Sequence, residues 1–296
     1  MRLISYRSAG EPRIGVRTDD GAIVDLHAAS DGALPTTMVE LLQGGEAALS
    51  AVREALAKGA DRPELHAPAD LELLPVVPRP PKIICVARNY GEHAAEANLD
   101  VLEQPNLFIR FPQSLLADGD PIQVPIVSEQ CDWEAELAVI IGKGGRHIEA
   151  ADALDHVAGY AIFNDVSIRD WQLRKPPVQF GAGKNFDASG PFGPDLVTAD
   201  EVPDPGALAI ELRVNGEVMQ TSSTAQMIFD VPTLIAFISK FTTLEVGDVI
   251  ATGTPSGVGH FRKPAKYLVA GDTVRIEIER IGVQESPVID EEAAAA

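Results

Sequence analysis

The sequence predicts an α+β fold that is mainly β: a mixed sheet closing on itself as a roll or sandwich, with a small α+β unit at the N-terminus. Three observations predict it. Short apolar runs bounded by Gly and Pro recur at 82–87, 107–111, 134–141, 157–164, 209–214, 248–252 and 273–279. Only two clear helical patterns, near 90–98 and 230–240, accompany them, whereas a doubly wound sheet would place a helix after nearly every strand. A proline-dense segment, Leu74-Pro75-Val76-Val77-Pro78-Arg79-Pro80-Pro81, divides this region from what precedes it.

In chain order, residues 1–28 alternate apolar and polar positions in three short runs separated by Gly-Glu-Pro and Asp-Asp-Gly turns, the signature of a β-meander. Helical patterns follow at 37–43, with Met38, Leu41 and Leu42 on one face, and at 46–58, with Leu49, Val52, Leu56 and Ala57. The proline-rich segment cannot be regular helix and reads as a linker. The expected organisation is therefore a small unit over 1–75, a large β-rich domain over 76–284, and a flexible tail over 285–296 that ends in four alanines.

Composition narrows the function. With 24 Lys and Arg against 44 Asp and Glu, the formal charge of −20 repels phosphate backbones and anionic lipid surfaces, so neither nucleic acid nor a membrane is the expected partner. Apolar runs such as 137–141 fall far short of the roughly 20 residues of a membrane span. The first residues, Met1-Arg2-Leu3-Ile4-Ser5, lack the apolar region of a secretory signal, and the expected location is the cytoplasm. Two cysteines, Cys85 and Cys131, are too few for a disulfide scaffold and lack metal or redox spacing.

The chemistry-bearing residues lie in a few segments. In Asp132-Trp133-Glu134-Ala135-Glu136-Leu137, a strand puts Glu134 and Glu136 on one face and Trp133, Ala135 and Leu137 on the other. Two carboxylates so placed repel unless a cation lies between them, and a solvent-facing polar face is the alternative. The apolar run 159–163 ends on Asn164-Asp165, which makes Asp165 either a third ligand or a strand-ending turn residue. An all-carboxylate set suits Mg²⁺ or Mn²⁺ and not zinc.

The segment Cys85-Val86-Ala87-Arg88-Asn89-Tyr90-Gly91-Glu92-His93-Ala94-Ala95-Glu96 leaves a strand and enters a helix on which His93 and Glu96 stand three apart. They form either a base with its orienting carboxylate or an exposed helix pair. Lys184 sits in a glycine-rich loop, and Arg169 and Gln172 follow Asp165; each suits an anionic ligand or a solvated surface. Thr252-Gly253-Thr254-Pro255-Ser256-Gly257-Val258-Gly259 exposes hydroxyls and backbone N–H groups but lacks the lysine of a phosphate-binding loop.

Taken together and in order, these segments, with Phe163-Asn164-Asp165-Val166-Ser167, Arg169-Asp170-Trp171-Gln172 and Gly183-Lys184-Asn185-Phe186-Asp187, resemble the fumarylacetoacetate hydrolase family over about residues 82–282. The resemblance implies a mixed β-sandwich roll, a homodimer, and Mg²⁺ or Mn²⁺ held by Glu134, Glu136 and Asp165. It makes His93 and Glu96 the dyad that activates water, places Lys184 near the substrate, and puts Arg169, Gln172 and Thr254 in the pocket; Arg88 and Tyr90 join them as substrate-binding residues. Two positions depart from the family pattern: Ala87 stands where a glycine is usual, and Arg110, in Phe108-Ile109-Arg110, replaces a common lysine.

The implied reaction is metal-dependent hydrolysis of a C–C bond in a small 2,4-dioxo acid of the acylpyruvate type, giving pyruvate and a carboxylic acid. The same site would also serve an oxaloacetate decarboxylase or keto–enol tautomerase, or a hydroxymuconate-type isomerase.

Overall fold

The computed structural model describes residues 1–68, 70–173 and 177–292. Two sheets carry the fold. The larger has ten strands, and its main path runs Ile23–Asp25, Glu11–Arg17, Arg2–Ser8, Leu196–Thr198, Val157–Asn164, Ala135–Ile141, Val249–Ala251, Ile83–Ala87, Asn106–Arg110. The second runs Glu217–Ser223, Ala209–Val214, Thr273–Ile278, Gly282–Asp290, Ile122–Val124. This is the mixed β-roll expected from the sequence.

The central strand Ala135–Ile141 is buried on both faces, so it reads as a continuous apolar run. Leu137, Val139 and Ile141 pack toward Leu212 and Ile276 of the second sheet and toward Leu234 and Ile238 of the helix Val231–Ser239. Ala138 and Ile140, on the other face, belong with Phe163, Phe192 and the N-terminal residues Leu41 and Val52. Two cores therefore sandwich one sheet, and Cys85 and Cys131 are buried free thiols within them.

Three segments differ from their sequence reading. The N-terminal strands form no sheet of their own: Arg2–Ser8 pairs with Leu196–Thr198 and extends the main sheet. Residues 74–81 are not a solvated linker, because Val76 and Val77 are fully buried and the Val76 N–H donates to the Phe192 carbonyl. Proline density excludes helix but not packed, extended chain. The tail expected from residue 285 is strand Gly282–Asp290 as far as Asp290, where alternate side chains Gln284, Ser286 and Val288 are buried. Residues 293–296 of that expected tail lie outside the described residues.

Strand direction positions the site. Ile83–Ala87 and Val249–Ala251 are parallel neighbours, so their C-terminal ends emerge together. Val157–Asn164 also ends at this edge, and Ala135–Ile141, antiparallel to its neighbours, begins there.

Candidate active site

Antiparallel register assembles the carboxylates. Glu136 is paired with Phe163 and Ala135 with Asn164, and the next step brings the Asp165 N–H to the Glu134 carbonyl at 2.9 Å. Glu134, Glu136 and Asp165 share one face by the two-residue period of strands. Their side-chain oxygens lie within 4.8 Å of one another, and all three residues are buried.

Fixed cations surround them. Lys184 Nζ is 2.8 Å from Glu134 Oε2 and 2.6 Å from Asp165 Oδ2, and also donates to the Asp165 carbonyl at 2.9 Å. Its three N–H donors are thus turned onto the acidic cluster. Arg110 Nη1 donates to Asp165 Oδ1 at 2.6 Å, while its Nη2 reaches the Ser189 carbonyl and hydroxyl. Arg169 Nη2 is 2.7 Å from Glu134 Oε1, and its Nε donates to Asp132 Oδ2 at 2.8 Å.

Glu136 differs from the other two. Its Oε2 accepts the Gly253 N–H at 2.9 Å, and it forms no ion pair with any described residue. Burial, then the charges of Asp165 and Glu134, push its carboxyl well above the usual carboxylate range. Burial also acts to raise Glu134, but Lys184 and Arg169 outweigh it and hold that carboxyl at about 2.

The donor set fits a hard divalent cation: it is all oxygen, preassembled and excess in negative charge. Four buried carboxylates, counting Asp132, face the three buried cations Lys184, Arg110 and Arg169. A doubly charged ion would turn this centre net positive and so attractive to an anion.

Beside the triad, the helix Gly91–Glu96 presents His93, whose Nδ1 lies 2.8 Å from Glu96 Oε1. Glu96 Oε2 accepts the Gly257 N–H at 3.0 Å. The Thr252–Gly259 segment thus braces both Glu136 and Glu96 through backbone amides. Gly253 and Gly257 permit this with φ of +95° and +102°, and a Cβ at Gly257 would collide with the Met219 carbonyl. With Nδ1 engaged, His93 keeps Nε2 for chemistry.

A cavity of about 260 Å³ joins these groups. Its polar side includes Glu134, Glu136, His93, Lys184, Arg169, Gln172 and Thr254. Phe108 stacks on Phe180 at 4.9 Å, and Leu99, Val178 and Phe261 complete an apolar side. Gln172 Oε1 accepts from Arg169 Nη1, and Thr254 Oγ1 bridges the Ala135 carbonyl and Gln220 Nε2. Arg88 lines the cavity; Tyr90 is not among the described residues that do, and its buried hydroxyl has no hydrogen-bond partner among them.

Sequence reasoning missed Asp132 and Arg110. Asp132 was legible as the first of three carboxylates spaced two apart on the Glu134 and Glu136 face. A basic residue between Phe108 and Phe111 was the signal for Arg110, but its partners Asp165 and Ser189 lie 55 and 79 residues away.

The family model described as Fumarylacetoacetate (FAA) hydrolase C-terminal matches residues 82–289. The chain belongs to this family. Among relatives of the fumarylacetoacetate hydrolase family, the chain is 46% identical over 292 residues to the Xenopus laevis "Oxaloacetate tautomerase fahd2, mitochondrial", covering 98% of this chain and 90% of the relative. It is 47% identical over 286 residues to the human "Oxaloacetate tautomerase FAHD2A, mitochondrial", covering 96% and 90%. Among solved structures of this family fold, a maleylpyruvate hydrolase from Sphingobium sp. SYK-6 in complex with manganese(II) and pyruvate aligns with a TM-score of 0.81 at 32% identity, over 99% of this chain and 100% of that one.

These relatives correct the cytoplasmic expectation, since the Xenopus, human and bovine proteins are named as mitochondrial. The physical reason for the error is that mitochondrial transit segments are basic and amphipathic, so a search for apolar runs does not test for that address.

Proposed function

We propose that this enzyme interconverts the keto and enol forms of a small 2-oxo acid of the oxaloacetate type, using a divalent cation held by Glu134, Glu136 and Asp165. The observation that carries the reading is one base, His93 with its Nδ1 held by Glu96, lining the same cavity as Glu134 and Glu136 of the carboxylate triad. Enolisation asks for this much: a base at the carbon next to the 2-oxo group, and positive charge where that oxygen becomes negative. The relatives named as oxaloacetate tautomerases support this over the acylpyruvate hydrolase expected from the resemblance.

His93 Nε2 takes the proton from C3 of the keto form. Glu96 holds the ring's orientation and stabilises the imidazolium that results. Proton return to the enol oxygen completes the exchange without an attacking water. A hard divalent cation, Mg²⁺ or Mn²⁺, would supply charge stabilisation at the 2-oxo oxygen. Lys184 and Arg169 keep Glu134 ionised for that cation, and Arg110 and Lys184 hold Asp165 in place through ion pairs of 2.6 Å each.

Hydrolysis remains a second reading, supported by the maleylpyruvate hydrolase likeness and by the His93–Glu96 pair, which suits water activation. The test is one panel, the oxaloacetate enol, acetylpyruvate and fumarylpyruvate, each with Mn²⁺ and then with EDTA. EDTA-sensitive loss of enol absorbance without pyruvate release supports the tautomerase. Pyruvate release from a dioxo acid with no acceleration of enol loss overturns it in favour of the hydrolase. The homodimer implied by the resemblance predicts a light-scattering mass of twice 31.5 kDa.

A further inference from the structure

Among the described residues, three permanently cationic side chains line the cavity: Arg88, Arg169 and Lys184. Arg169 and Lys184 are spent on Asp132, Glu134 and Asp165. Arg88 has no ion pair or side-chain hydrogen bond with any described residue, although it is half-buried and shares the cavity with Val86, Phe108 and Leu99. A guanidinium bordered by apolar walls attracts an anion more strongly than one in open water.

Its placement is also held. Arg88 has φ of +58°, a conformation that side-chain-bearing residues adopt rarely. The following residue fixes the turn: Asn89 Nδ2 donates to the Phe229 and Thr252 carbonyls at 2.9 and 2.8 Å, and its Oδ1 accepts the Phe229 N–H at 2.8 Å. The Asn89 carbonyl accepts the Ile228 N–H at 2.7 Å. A left-handed residue clamped this way carries a backbone cost that its neighbours offset.

We propose that Arg88 binds a second, distal carboxylate of the substrate, so that the cavity selects 2-oxo acids charged at both ends over those with a neutral end. This rests on the reading that the cavity takes a 2-oxo acid. The triad end would receive the 2-oxo acid head, and the guanidinium would form a charge-assisted pair with the far carboxylate. Val86, Leu99 and Phe108, which line the cavity with Arg88, limit the water that competes for that pair.

The test is calorimetric binding of two ligands that do not turn over, measured with the Mn²⁺-loaded protein. Oxalate carries only the head, while 3,3-difluoro-oxaloacetate keeps both carboxylates and has no C3 proton to lose. The first variant is Arg88→Asn, because asparagine tolerates the left-handed conformation, and the second is Arg88→Gln. Expected is a loss of at least about tenfold in affinity for difluoro-oxaloacetate in both variants, with oxalate unchanged within about twofold. In turnover, KM for oxaloacetate rises while kcat changes little.

Equal weakening of both ligands, or of neither, overturns the proposal, as does a wild-type protein that binds difluoro-oxaloacetate no better than oxalate. The two readings fail separately: absent tautomerase activity with intact ligand discrimination sinks only the proposed reaction. Full activity together with unchanged discrimination in the Arg88 variants sinks only the role of Arg88.

Discussion

Glu96 and Gly257 hold one another across 161 residues: the Gly257 N–H donates to Glu96 Oε2 at 3.0 Å while Glu96 Oε1 engages His93. The proposed base is therefore oriented by a loop from the far end of the chain. Gly257→Ala should uncouple them, because the new Cβ meets the Met219 carbonyl and φ of +102° disfavours alanine. Expected is a fall in enolisation of about tenfold or more with Mn²⁺ affinity retained, measured by enol absorbance and by metal titration. Lost metal binding with intact turnover would contradict this division of labour.

Glu136→Gln should have opposite effects on stability and metal binding. Replacing a buried carboxyl whose ionisation is disfavoured by burial and by Asp165 and Glu134 should raise the melting temperature of the metal-free protein by about 1–3 °C. It should also weaken Mn²⁺ binding by at least about tenfold, as the loss of one of three carboxylates. Calorimetric melting with and without metal checks both signs; a lowered apo melting temperature would show that Glu136 is satisfied as it stands.

Arg110→Ala should destabilise the fold by about 3–5 kcal/mol, because it strands the buried Asp165 oxygen and the Ser189 carbonyl. Arg110→Lys should cost less but still lower metal affinity, since an ammonium cannot span Asp165 and Ser189 as a guanidinium does. Urea unfolding of both variants beside Mn²⁺ titration tests this. Wild-type stability in Arg110→Ala would remove Arg110 from the site's support.

His93→Gln should abolish enolisation, to about 1% of wild type or less, while leaving Mn²⁺ binding within about twofold, because His93 contributes no atom to the triad. Glu96→Gln, which keeps a hydrogen-bond acceptor for the ring but removes the charge, should retain more activity than His93→Gln. Equal loss in the two variants would mean that the Glu96 charge is required in full, as water activation for hydrolysis would need.

Much of the site was legible in the sequence because strand geometry is local. The two-residue spacing of Glu134 and Glu136, the three-residue spacing of His93 and Glu96, and Asp165 at a strand end are statements about the near neighbours of each residue. The predicted elements 157–164 and 209–214 coincide with the strands Val157–Asn164 and Ala209–Val214 for the same reason.

Partnership across the chain was not legible. The sequence by itself determined the sheet-rich fold class, the carboxylate face and the helix that bears the histidine, since backbone period and side-chain parity follow from covalent geometry. Only the tertiary structure decided that the N-terminal strands extend the main sheet, that Lys184 spends its donors on Glu134 and Asp165, and that Arg110 supports Asp165 while Arg88 stands unpaired among the described residues of the cavity. Those outcomes depend on strand order and register between segments tens to hundreds of residues apart, and on which cation desolvation leaves beside which carboxylate. Neither is encoded in any local window of the chain.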